Sequence, residues 1–464
     1  MIDKNLVSEL LKKALHNGGD YAEIFYEDRL TNTLSVEDSE IEEVRTGFDR
    51  GLGVKVMEGD TISYAFTDDL NHDSLFQAAE IASSAVREGN GTEIIDLTID
   101  HPDSPHQIEI LPEDTELEEK ARLLFSANQA AREVSEDIRQ VIVGYIDTRQ
   151  RVLIASSSGL FIDDRRVYTR LSTSAVAGRN GVMQTGSDSA GGHRGMELYN
   201  DNSPDEIGRK AGEMAVTMLN ARPAPTGQMP VVVNHGFGGV LFHEACGHGL
   251  EADSIQKEAS VYSGRVGEKV ASDKVTAIDD ATLPNEWGSY VIDDEGQPAQ
   301  RTVLIEEGQL VDYMYDLRAA GKEDRPSTGN GRRQSFRHLP VPRMSNTYLA
   351  PGESKPEEII GSLEQGFYAK NLGGGQVNTA TGDFTFSVRE GYLVKDGKVA
   401  EPVRGATLVG NGPSSLQHIS MVGDDLEFSP GVCGKEGQNV FAAVGQPTIL
   451  IDRLTVGGTE QKGE

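Results

Sequence analysis

Cysteine is almost missing from this chain: Cys246 and Cys433 are the only two among 464 residues. Two thiols cannot build a disulfide framework. A packed core must therefore hold the fold, and the length suits two or three domains. Positive charge is also short, with 43 Lys and Arg against 74 Asp and Glu and a formal net charge of −31. That excess repels nucleic-acid phosphates, and no basic stripe reverses it locally. It disfavours anionic membrane surfaces and suits neutral, basic or peptide-like substrates. No apolar run approaches the roughly 20 residues needed to cross a bilayer. The start, MIDKNLVSELLKKAL, lacks the basic head, apolar stretch and cleavage site of a signal peptide. The expected location is cytoplasmic. Repeats of solenoid type and low-complexity tracts are also lacking.

What is present reads as an α+β chain. Leu6, Leu10 and Leu11 share one face of an opening helix, with Asp3 as its N-cap. DYAEIFYED and TNTLSVEDSEIEEV alternate as strands do, and GLGVKVMEGDTISYAFT reads as a hairpin turning at Glu58-Gly59-Asp60. HDSLFQAAEIASSAVREG returns to helical spacing, and the Pro- and charge-rich DHPDSPHQIEILPED marks a boundary. A long helix, two strand-like runs and a second amphipathic helix follow, closed by RPAPTG. The remainder is rich in strands and glycine. The expected division is an N-terminal α+β subdomain (1–100), a central α+β subdomain (101–226) and a mostly β C-terminal domain (227–464). One helix of that last domain would carry the segment LFHEACGHGLEAD.

That segment holds His243, Glu244 and His248. It is close to the zinc-protease pattern H-E-x-x-H, whose histidines, four apart, sit one above the other on a helix. Here they are five apart. Five residues of regular helix rotate about 500°, leaving the two side chains roughly 140° apart. A π-type turn would realign them; so would a helix that loosens at Gly247, with Gly249 just beyond. Two core histidines beside a glutamate would leave the same pattern. Zinc prefers nitrogen and sulfur donors in a tetrahedral shell, so a third ligand is required. Cys433, in SPGVCGKEGQ, reads as lying in a glycine-rich polar turn where a thiolate can face a metal. Cys246, inside the motif, is the weaker candidate, and His193, His235, His338 and His418 are spare ones.

Several segments together make the chain resemble the TldD/PmbA metallopeptidase family, in its TldD branch. They are HEACGHGLEAD, IDDEGQPAQRTVLIEEGQL, STGNGRRQSFRHLPVPRMSNTYL, NLGGGQVNTATGDFTFS, GATLVGNG and MVGDDLEFSPGVCGKEGQ. They cover most of residues 227–464. The family pattern is H-E-x-x-x-H plus a cysteine near the C-terminus, holding one zinc. Carried over, the resemblance implies His243, His248 and Cys433 as ligands of one Zn2+ per chain, and Glu244 as general base. It implies a protease of small, unstructured peptides that works with a PmbA/TldE-like partner subunit as a heterodimer, or as a homodimer. Three ligands leave the fourth zinc position open for water. GGGQVNTATG and STGNGRR are expected to line the cleft or to form ordinary turns, and Arg332, Arg333 and Arg337 to hold a peptide carboxylate or to pair with acids.

Two other readings use the same residues. Cys433 can be the nucleophile of a cysteine hydrolase with His243 or His248 as its base, which leaves Glu244 idle. A non-catalytic interaction protein leaves the whole set idle. A serine hydrolase finds little support, since SSSG at 156–159 lacks the G-x-S-x-G elbow.

Overall fold

The computed structural model describes residues 2–84, 95–100 and 102–459. Helix α1 (Lys4–Ala14) starts where the Asp3 carboxylate accepts the Leu6 N–H at 3.0 Å, and it buries Val7, Leu10, Leu11 and Ala14. Strands β1 (Tyr21–Glu37), β2 (Glu40–Glu58) and β3 (Thr61–Thr67) form successive hairpins. The second hairpin turns at Gly59 and Asp60, as expected. The first turns at Asp38 and Ser39, inside a stretch that reads as one strand. Both residues have positive φ, 49° and 69°, the geometry of a two-residue hairpin loop usually signalled by Asn-Gly or Asp-Gly. Without the glycine that signal is absent. Helix α2 (His72–Ser84) packs Leu75, Ala78, Ala79 and Ala82 into the α1 core; residues 85–89 of the expected helical run lie outside the described residues.

After the short β4 (Thr98–Asp100) come α3 (Leu117–Glu133), β5 (Ile138–Ser156), β6 (Leu160–Arg179), β7 (Val182–Gly192), α4 (Leu198–Asp201) and α5 (Pro204–Asn220). Long antiparallel pairing of β1 with β5 merges both N-terminal segments into one seven-stranded sheet. Its strand order is β3-β2-β1-β5-β6-β4, with β7 on β6. Strand β1 serves two cores. Ala22 and Ile24 pack with α1 and α2, and Leu34 and Val36 pack with α3 and α5.

The C-terminal part is mostly β, as the sequence leads one to expect. Strands Gln365–Asn378, Gly227–Val233, Ile449–Gly457, Thr407–Asn411 and Asp383–Lys395 pair in that order, and the first also pairs with the last, closing a ring. A second sheet of six strands ends at the edge strand Glu427–Lys435, which pairs with Gln438–Gln446. One large apolar cluster, including Val231, Phe367, Phe386 and Ile451, unites ring and sheet. No helix among the described residues is long and apolar enough to cross a membrane.

Buried charges tie the parts together. Lys55 Nζ lies 2.9 Å from Glu23 and 2.5 Å from Glu295, and Arg333 reaches Glu23 at 2.5 Å. Arg166 bridges Asp164 at 2.8 Å and Asp294 at 2.6 Å. Removing one member of such a set strands the others without water. Lys55→Met is therefore expected to destabilise the protein by roughly 3–5 kcal/mol, read as a lower thermal unfolding midpoint. An unchanged midpoint would show that this contact between the N- and C-terminal parts adds no stability.

Candidate metal centre

The chain leaves the ring strand Gly227–Val233 and turns sharply at Gly236, whose φ is +69°. It then enters a short helix, Val240–Ala245. Gly239 seats this helix: a Cβ there would come within 2.6 Å of the Gly445 carbonyl oxygen. Leu241, Phe242 and Ala245 pack into the large apolar cluster, while His243 and Glu244 line a cavity.

The expectation that one helix carries the whole motif needs correction. The helix ends at Ala245. Cys246 departs to φ −132° and ψ −46°, and His248 sits on a separate 3-10 turn, Gly247–Leu250. Regular rotation would have aimed the two histidines apart. The loosening beside Gly247 lets both rings approach, with centroids 5.2 Å apart and planes at 84°. The alternative π-type turn does not form. Cys433 also differs from expectation. It lies within the edge strand Glu427–Lys435, opposite Val440, and the turn comes later, at Glu436 and Gly437.

The strand nevertheless brings Cys433 to the histidines. One ligand atom from each of His243, His248 and Cys433 lies within 4.8 Å of the others. Cys433 Sγ is 3.6 Å from His248 Nε2. A nitrogen about 2.1 Å and a sulfur about 2.3 Å from one tetrahedral centre lie roughly 3.6 Å apart. His243 Nδ1 is buried and has no hydrogen-bond partner, and His243 offers one ring nitrogen to the cluster. By spacing and donor type, the residues fit a zinc-like ion.

Charge around the site is ordered. Burial pushes the Cys433 thiol up, but the His243 charge and hydrogen bonds from both histidines outweigh it and hold the thiol well below its ordinary range. Burial would lower His248, yet Glu251 and Cys433 carry it well above its usual value. Glu251 accepts from His248 Nδ1 at 3.0 Å and from Lys435 Nζ at 3.0 Å. Burial raises its carboxyl, and Lys435 then His248 bring it down to about 2. Glu251 was missed in the sequence, although an acid three residues after His248 was a readable signal. The Glu244 carboxylate is half-buried, 4.0 Å from His248 Nε2.

Glu244, His243 and Cys433 share a cavity of about 670 Å³ whose far wall is built from β6 and β7. The other candidates stand apart from the cluster. Cys246 is fully buried in the apolar core, which pushes its thiol up to about 12. His193 stacks on His106 at 4.0 Å, His235 pairs with Glu427 at 2.6 Å, His338 contacts Ser335 Oγ at 3.0 Å, and His418 contacts the Ser414 carbonyl at 2.7 Å. Arg332 donates to the Met344 carbonyl, Arg333 pairs with Glu23 and Arg337 with Asp49, so none lines the cavity. From GGGQVNTATG, Gly374 and Gly375 do line it; no residue of STGNGRR does.

Residues 22–86, 110–219 and 226–458 match, in turn, domain 1, the central domain and the C-terminal domain of the PmbA/TldA metallopeptidases. The chain belongs to the TldD/PmbA metallopeptidase family. A metalloprotease TldD homolog of Haemophilus influenzae is 40% identical, over 96% of this chain and 94% of its own length. A zinc metalloprotease TldD homolog of Saccharolobus solfataricus is 26% identical, over 97% of this chain and 99% of its own. The solved structure of TldE from Thermococcus kodakarensis shares the fold, with a TM-score of 0.78 at 21% identity, over 98% of this chain and all of that one. Within this TldD/PmbA chain, Glu251 orients a residue of the donor cluster. Glu251→Gln is expected to weaken zinc affinity about 10- to 100-fold, measured by competition with a chromogenic chelator. Unchanged affinity would assign Glu251 to folding alone.

Proposed function

We propose that this chain is a zinc-dependent metallopeptidase that cleaves small, unstructured peptides. His243, His248 and Cys433 would hold one Zn2+ per chain, and Glu244 would act as general base. The observation that carries this reading is the convergence of the three donors, two of which, His243 and Cys433, line one cavity with Glu244. Family membership and the name of the Saccharolobus relative support it.

When bound, zinc supplies Lewis acidity, which polarises a peptide carbonyl and makes a nearby water acidic. The chain does the rest. Glu244 takes the proton from the attacking water and returns it to the leaving amine. Glu251 keeps the His248 ring turned toward the cluster through Nδ1. The cavity volume of about 670 Å³ suits a few residues of extended chain better than a folded domain. The reading carries with it a cytoplasmic location and the division into 1–100, 101–226 and 227–464. A PmbA/TldE-like partner subunit, or a second copy of the chain, would complete the assembly.

The 3.6 Å contact between Cys433 and His248 also favours a cysteine hydrolase with Cys433 as nucleophile. Metal content separates the two. Elemental analysis is expected to give about one zinc per chain in the parent protein, and much less in His243→Ala and Cys433→Ala. Glu244→Ala is expected to keep the zinc and lose peptide hydrolysis by about 10²- to 10⁴-fold. A parent protein that binds no metal after zinc is resupplied, and still cleaves peptides in chelator, would replace the metallopeptidase reading with the thiol one.

A further inference from the structure

Two arginines enter the same cavity from opposite sides. Arg170 projects from β6, and Arg389 from the ring strand Asp383–Lys395. Arg170 Nη2 donates to Ser189 Oγ at 3.3 Å, and Arg389 Nη1 donates to Ser187 Oγ at 2.7 Å. Ser187 and Ser189 are two apart on β7, so both hydroxyls lie on one face of that strand, about 7 Å apart. The two guanidinium groups are thus brought to neighbouring points of one wall.

Neither arginine has an acidic partner among the described residues, in a chain of net charge −31. Elsewhere in the fold Arg166, Arg325, Arg333 and Arg337 are each held by carboxylates. Arg170 Nε is buried with no hydrogen-bond partner. Burial alone pushes this guanidinium down from its ordinary range, with no carboxylate to offset it. The Trp287 ring, 5.9 Å away, helps orient it. Asp188 also lines the cavity but pairs with neither arginine. A planar anion that takes two parallel N–H donors is the ligand such groups select.

We propose that Arg170 and Arg389 form a carboxylate-binding subsite of the cavity, which takes either the free C-terminus of a peptide or an Asp or Glu side chain. This rests on the peptidase reading and adds a substrate class to it. A C-terminal carboxylate would make the enzyme one that trims chains from that end; a side-chain carboxylate would make it select acidic sequences.

The test uses the full-length, zinc-loaded protein and three short peptides: one without acidic side chains and with a free C-terminus, its C-terminal amide, and the same amide with one glutamate. Binding is measured by calorimetry on Glu244→Gln, and kcat/KM on the parent. At least one carboxylate peptide is expected to bind about 10- to 100-fold more tightly than the plain amide. Which one does so identifies the source of the carboxylate. In Arg170→Gln and in Arg389→Gln the ratio should fall toward one. Equal affinity for all three peptides, or no binding of any, overturns the subsite. Should the parent cleave every peptide equally, the peptidase reading stands and the subsite fails. Should it cleave none while the binding preference holds, the subsite stands and the peptidase reading fails.

Discussion

Two histidines five residues apart cannot face one point from a regular α-helix, and the candidate centre depends on how the chain escapes that limit. The escape is a stop. Six helical residues carry His243 and Glu244, Cys246 leaves helical geometry, and a tighter turn presents His248. The stop is held from both sides. Phe242 and Leu250 anchor the flanking turns in the apolar cluster, and Gly247 passes so close to the Met344 sulfur that a Cβ would lie 2.4 Å from it. The distortion is thus fixed by packing rather than left to the local sequence.

The third donor comes from much further along the chain. Cys433 reaches the histidines only because its strand closes the edge of a sheet whose inner strand, Gln438–Gln446, also packs against the turn that leads into the histidine helix. Arg343 holds the Cys433 carbonyl at 2.5 Å, and Lys435 ties the strand to Glu251 and Asp253. The same acid that orients His248 therefore also anchors the strand bearing the thiol. A polar net of this kind is stable in a buried place only when its members are satisfied, and here it links the positions of two distant segments.

Charge plays two different parts. On the surface, the acidic excess leaves a large negative field. Inside, Lys55, Arg166 and Arg333 are matched with acids from other parts of the chain, and these pairs clamp the N-terminal sheet onto the C-terminal domain. The clamp matters to the site, because β6 and β7 of that sheet form the cavity wall opposite the donors. Without it, the donors would sit on an open face.

Much of this was legible in the sequence because it is local. The N-cap at Asp3, the Gly59 turn and the periodicity of α3 and α5 follow from neighbouring residues. The residue types and the family resemblance also pointed to His243, His248, Cys433 and Glu244 as candidates, and the fold brings the first three together. Tertiary structure decided the rest. The Asp38–Ser39 hairpin has no glycine to announce it, and Cys433 reads as a turn residue until the second strand is paired beside it. Whether Arg333 faced a peptide or Glu23 was not written within either segment, since the two residues lie 310 positions apart. Local propensity is carried by a few neighbouring residues, whereas the convergence of donors, acids and arginines is a long-range property that only sheet pairing and core packing can fix.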